Sequence, residues 1–143
     1  MTGEKCVFCD IVSGKAPAYK IMEDELSMVI LDIHPYAKGH CLVIPKRHVQ
    51  WWHEMTEDET VSLFKLAHRA ANKIMKTIEP DFVCLYARGK RIPHTHIFLI
   101  PTVEGDVLDR FYGAMEKFQE APQALAKLKD PEAMEESTKI LQD

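Results

Sequence analysis

The run Ile92-Pro93-His94-Thr95-His96-Ile97-Phe98-Leu99-Ile100-Pro101 carries two imidazoles two residues apart. Read as a β-strand, its side chains alternate between faces. His94, His96 and Phe98 then share one face, and Thr95, Ile97 and Leu99 the other. The two histidines sit roughly 6.5–7 Å apart at their Cα atoms in such a strand. One ring can act on a substrate near neutral pH while the other orients it or holds a metal. Partly buried structural histidines are the alternative for so short a pattern. The basic run Arg88-Gly89-Lys90-Arg91 leads directly into the strand. Its glycine allows a backbone to approach a ligand closely, and its cations suit phosphate, although a solvated turn has the same composition.

A second group is Cys6-Val7-Phe8-Cys9, which has the spacing of a zinc half-site. Two intervening residues let both sulfurs reach one ion at about 2.3 Å. A redox pair has the same spacing, and two metal-free buried thiols are a further alternative. A short N-terminal turn with no βαβ pattern around it favours the metal. A closed tetrahedral site needs two more ligands. His48 and His53 are nearby candidates, and the histidine strand supplies others.

These groups need elements to position them. Cys6 to Val12 reads as a short helical turn stopped at Ser13-Gly14. Strands are expected at Tyr19 to Glu23, Ser27 to Ile33, His40 to Pro45, Phe82 to Tyr86 and Ile92 to Pro101. Thr56 and Glu59 form a Thr-x-x-Glu capping box that opens a helix running to Ile78, with Pro80 beyond it. Val61, Phe64, Ala67, Ala71, Ile74 and Ile78 recur at helical steps and predict its buried face. Trp51-Trp52, just before this helix, is read first as core. Two more helices are expected, one between Gly105 and Phe118 and one from Asp130-Pro131 to about Leu141. The plan is α+β, a mostly antiparallel five-stranded sheet with one long central helix and helices at the end.

The 143 residues suit one domain, with a core over about 6–101 and a helical extension over about 105–143. Eighteen basic against 22 acidic residues give a net charge of −4, so nucleic acid and acidic membranes are not expected partners. Four cysteines do not make a disulfide scaffold, and Cys41 and Cys84 read as buried free thiols. No apolar run approaches the roughly 20 residues of a membrane span. Met1-Thr2-Gly3-Glu4-Lys5 lacks a signal peptide's apolar stretch, so a reducing cytoplasm is the expected location.

Four stretches together resemble the histidine triad (HIT) nucleotide-binding proteins. They are Cys6-Val7-Phe8-Cys9-Asp10-Ile11 with Gly14-Lys15-Ala16-Pro17; Leu31-Asp32-Ile33-His34-Pro35; Lys38 through His48; and Pro93 through Pro101. The resemblance implies the HIT fold and attack by the middle histidine, here His96, on the α-phosphorus of a bound nucleotide. A nucleotidyl-imidazole forms and water cleaves it. The other ring nitrogen of His96 is expected to donate to a backbone carbonyl of the same strand. Asp32 matches the acid that accepts the ribose hydroxyls, and Ile11, Ile30 and Ile33 would wall the base pocket. Carried over from bacterial members, the zinc ligands are Cys6, Cys9, His48 and His94, in a structural site. A homodimer built around the long helix and a sheet edge is likewise implied.

The sequence departs from the family in the loop before the histidine strand, which is shorter and lacks the usual asparagine, and at three further positions. Phe98 replaces the third histidine and cannot donate a hydrogen bond. Lys90 and Arg91 stand where glutamine and a hydroxyl residue are usual. This basic pair is expected to replace part of the missing donation to phosphate. The resulting expectation is a nucleotidyl hydrolase or transferase for purine nucleotide phosphoramidates or dinucleoside polyphosphates. A nucleotide-binding sensor or interaction protein with little catalysis is the alternative.

Overall fold

A computed structural model of the chain describes residues 5–119 and 123–142. Most of the Met1 to Lys5 segment, read above for a leader, lies outside them. The chain forms two compact units, one through Glu104 and one from Gly105.

The first unit opens with α1 (Val7–Val12), capped by Cys6, whose sulfur accepts the Cys9 N–H. Gly14 follows with φ +80°, the left-handed conformation that ends a helix at little cost. Five strands follow: β1 (Lys20–Glu23), β2 (Ser27–Leu31), β3 (Cys41–Pro45), β4 (Phe82–Tyr86) and β5 (Ile97–Thr102). They form one antiparallel sheet in the order β1-β2-β3-β5-β4. The α+β reading with five strands holds.

The central strands read as unbroken apolar runs because the sheet is covered on both faces. Val29, Cys41, Val43, Ile97 and Leu99 belong to the core with α2 (Glu57–Thr77). Met28, Ile30, Leu42 and Ile44 belong to a second core with Cys6 and Phe8, against which Ile11 and Phe98 also pack. Alternation with period two therefore sorts residues between two covered faces. Polar groups mark the strand ends. Asp24 Oδ1 accepts the N–H groups of Leu26 and Ser27, and Ser62 Oγ lies 2.8 Å from both Asp24 Oδ1 and Ser27 Oγ.

The capping box of α2 is present as expected, Thr56 and Glu59 each satisfying the other's backbone N–H. Its buried face differs from the expected one. Leu63, Leu66, Ala67, Ala70 and Ile74 meet the sheet, while Phe64 is 39% exposed and Val61 and Ile78 are also exposed. The helix has two apolar stripes. Ala67 and Ile74 of the expected set are buried, and with the small Ala70 they let one stripe lie close to the strands, while Val61, Phe64 and Ile78 fall on the other. Trp51 and Trp52 are not core either. Trp51 is half-buried and stacks on His53, and Trp52 is 51% exposed.

Two strand ends fall short of their expected positions. β2 stops at Leu31: the Asp32 N–H still bonds the His40 carbonyl in register with β3, but Asp32 Oδ1 takes the His34 N–H and starts a turn. β5 begins at Ile97, so both histidines precede the strand: His94 sits in a bend, its N–H on the Ile92 carbonyl at 2.8 Å, and His96 is the residue just before Ile97. Cys41 is a buried thiol whose pKa burial pushes up to about 11, whereas Cys84 is half-buried.

The second unit holds α3 (Val107–Phe118), capped by the Asp106 carboxylate, a short α4 (Gln123–Ala126) and α5 (Pro131–Gln142). The two helices expected there are present, and α4 is additional. No helix among the described residues is long and apolar enough to cross a membrane.

Candidate active site

The segment that carries the histidines is pinned from both sides. Between them, Thr95 gives both its N–H and its hydroxyl to the Val49 carbonyl, at 2.7 and 2.9 Å. This brings His94 beside His48. Their rings meet edge to face, with centroids 5.2 Å apart. From the other side α1 presents Phe8, 4% exposed, whose ring lies 5.6 Å from that of His94 and 5.2 Å from that of His96.

Cys6, Cys9, His48 and His94 each bring one ligand atom to a common point, all within 4.8 Å of one another. Their donor set fits a metal. His94 Nε2 lies 2.8 Å from the Pro45 carbonyl, which can only accept, so Nε2 carries the proton. Nδ1 is then a lone pair, and it faces the Cys6 and Cys9 sulfurs at 3.3 and 3.5 Å. His48 Nδ1 lies 3.2 Å from the Cys9 sulfur. A carbonyl-oriented imidazole and a second imidazole beside two thiols make a donor set that suits a tetrahedral divalent ion. Burial holds His94 below the usual imidazole range, which keeps it in the neutral, ligating form. Burial first, then the Cys6 sulfur and Asp10, push Cys9 up to about 11. His53 stays outside this cluster, stacked on Trp51.

His96 is built differently. Its Nδ1 donates to the His94 carbonyl at 2.7 Å, which leaves Nε2 with the lone pair. The ring is 8% exposed and lines a cleft of about 520 Å³. Phe8 and Ile11 of α1, Ile30 of β2 and Asp32 and Ile33 beyond it line the same cleft, as do Arg91 and Phe98. The arrangement joins an apolar slot, a carboxylate, a cation and an imidazole. It suits a ligand with a flat apolar part, hydroxyls and an anionic group. Lys90 is not among the lining residues, although Arg91 is.

Residues 13–105 match the HIT domain family.

The chain belongs to the HIT family.

This HIT protein is 37% identical over 101 residues to the adenosine 5′-monophosphoramidase hnt1 of Schizosaccharomyces pombe, covering 67% of this chain and 73% of that one. It is similar in structure to a HIT family member from Bacillus subtilis, with a TM-score of 0.80 at 28% identity over 97% of this chain and 96% of that one. It is also similar to a zinc-bound histidine triad family protein from Mycobacterium smegmatis, with a TM-score of 0.67 at 29% identity, covering 82% and 98%.

Sequence reasoning passed over three parts of the HIT protein's site. Phe8 was read only as a residue between cysteines, although a large apolar residue on a short capped helix must find a core. Thr95 was read only as facing the opposite side. His40 was seen as a motif letter. Its ring is buried between Tyr36, stacked at 5.6 Å, and Phe98, edge-on at 5.1 Å. Gly39, with φ +87°, was the available signal, because it turns the chain to bury the next residue. A Cβ there would collide with Ile78.

Proposed function

We propose that this HIT protein is a nucleotidyl hydrolase or transferase. It acts on the α-phosphate of purine nucleotide phosphoramidates or dinucleoside polyphosphates through a covalent nucleotidyl-His96 intermediate. The observation that carries the reading is the 2.7 Å bond from His96 Nδ1 to the His94 carbonyl, in a ring that lines the same cleft as Asp32.

Ile11, Ile30 and Ile33 hold the base, and Asp32 accepts the two ribose hydroxyls. Arg91 and Lys90 offset the phosphate charge. His96 Nε2 attacks the α-phosphorus, the new P–N bond forms and the bond to the leaving group breaks, an amine departing with a proton taken from solvent and a polyphosphate as its anion. The His94 carbonyl holds the Nδ1 proton as positive charge develops on the ring. Water then attacks the same phosphorus, gives its proton to solvent, and returns a neutral His96 and a nucleoside monophosphate. Cys6, Cys9, His48 and His94 hold a zinc ion, which supplies structure by tying α1 to the histidine segment. Two copies pair through the exposed stripe of α2 and the outward Phe82 and Leu85 of edge strand β4, and the protein works in the cytoplasm.

A second reading, a nucleotide-binding sensor with little turnover, is favoured by one feature. Phe98 places a ring without a donor 5.4 Å from the His96 ring. One experiment separates the two. Wild type and His96→Ala are assayed with a fluorogenic adenosine phosphoramidate, and the quenched reaction is analysed by mass spectrometry. Turnover with a nucleotide adduct on His96, both lost in the variant, supports the enzyme. Equal background rates with AMP binding intact support the sensor.

A further inference from the structure

His40 has no task in the chemistry above, yet it is fully buried behind Asp32, Tyr36 and Phe98, which line the cleft. The Tyr36 N–H donates to its Nδ1 at 3.2 Å. A ring nitrogen that accepts carries no proton, so the ring is the Nε2–H tautomer. Among the described residues that Nε2 is the buried side-chain polar atom left without a hydrogen-bond partner. It faces Asp32 Oδ2 at 3.5 Å, too far for an N–H···O bond. The ring is held between Tyr36 and Phe98, and neither aromatic face offers a carboxylate-like acceptor. Burial holds the imidazole below its usual range, with the Asp32 charge opposing, and the neutral ring is the form that the Tyr36 contact requires.

The lone pairs of Asp32 can be counted. An ionised carboxylate has about four acceptor sites. The His34 N–H occupies one on Oδ1, at 2.7 Å. A donor from His40 on Oδ2 occupies a second. Two remain, and a ribose offers two hydroxyls.

We propose that His40 is a positioning residue for ribose recognition: its Nε2–H closes onto Asp32 Oδ2 when a nucleotide binds and fixes the angle at which the carboxylate meets the 2′ and 3′ hydroxyls. This rests on the reading of Asp32 as the ribose acid. The ligand-free protein leaves the donor unpaired, and small rotation of the carboxylate closes the gap. The bond so made is charge-assisted and lies in a buried setting, where such bonds are strong.

The test is binding of AMP and of its 2′,3′-dideoxy analogue to wild type, His40→Phe and His40→Gln. Wild type prefers AMP. His40→Phe keeps a ring of similar size but has no donor; it weakens AMP about tenfold and leaves the dideoxy analogue unchanged. His40→Gln, with an amide N–H of similar reach, recovers part of the loss. Equal weakening of both ligands, or of neither, overturns the inference alone. A wild type without preference between the ligands overturns the reading of Asp32, and the inference with it. Should His40→Phe not fold, the imidazole ¹⁵N–¹H spectrum of wild type decides. AMP shifts and protects the His40 Nε2–H signal and the dideoxy analogue does not; the same response to both overturns the proposal.

Discussion

The ring of Phe98 lies 5.4 Å from the ring of His96, inclined at 51° to it. In the proposed mechanism the attacking imidazole would thus have an apolar neighbour where a donor would stabilise the phosphoryl charge. Restoring a donor there should raise turnover. Phe98→His is expected to increase kcat for an adenosine phosphoramidate by about a hundredfold with little change in KM. Steady-state kinetics at neutral pH check this. An unchanged kcat would show that the charge is already met elsewhere.

Arg91 lines the cleft and Lys90 does not. Arg91→Ala should therefore lower kcat/KM by about tenfold or more, and Lys90→Ala by less. Kinetics of the two single variants and the double variant measure the order. An unchanged double variant removes both from the account of phosphate stabilisation.

Metal uptake should release protons. Without a metal the Cys9 thiol titrates near 11, so it is protonated at neutral pH and must lose its proton to ligate. Affinity for zinc is expected to rise with pH. Calorimetric titrations in two buffers of different ionisation heat give the number of protons released. Cys9→Ser should lower that number and the affinity together, whereas proton-free binding would place the ion away from the cysteines.

Arg47 grips Glu59 with two bonds, at 2.6 and 2.9 Å, while Glu59 also caps α2. The Arg47 bonds come first among the causes that hold the Glu59 carboxyl at about 2, against 4.5 for a free group. A lowered folded pKa stabilises above the unfolded value and ceases to as the pH falls through the folded one. Glu59→Gln should cost about 1–2 kcal/mol at pH 7. The difference from wild type should shrink steadily between pH 4.5 and 2. Urea midpoints across that range test it.

The outer stripe of α2 should carry the subunit contact. Phe64→Glu is expected to shift the protein from two copies to one without loss of helix content, as read by sedimentation velocity and circular dichroism. A wild-type protein that sediments as one copy would end the dimer proposal.

Much of this site was legible in the sequence because its residues announce themselves by type and spacing. Cys6 and Cys9 three apart, and His94 and His96 two apart, restrict geometry before any fold is known. The structure brings His48 and His94 to the cysteines and gives His96 a carbonyl partner. The buried face of α2 was not legible. Two apolar stripes compete there, and only contact with the strands shows which small residues allow close approach. Trp51 and Trp52 misled for a related reason: size argues for burial, but Trp52 enters a 3-10 turn at Trp52–Glu54 and stands exposed, and Trp51 before it is only half-buried. The work of His40 was hidden because a buried imidazole shows its direction only through its neighbours.

A sheet coated with oil on both sides cannot use oil to align itself. In a strand with one wet face, sliding by one residue throws the greasy set into water, and that penalty locks the pairing. Here the central strands present apolar groups whichever way they slide, so placement falls to a few polar rivets: the Asp24 carboxylate and Ser27, which tie the start of β2 to Ser62 of α2, and the paired bonds of Thr95, before β5, to Val49, after β3. Loosening a rivet would leave the grease in place but misfile the histidines, so this scaffold should lose its aim before it loses its shape.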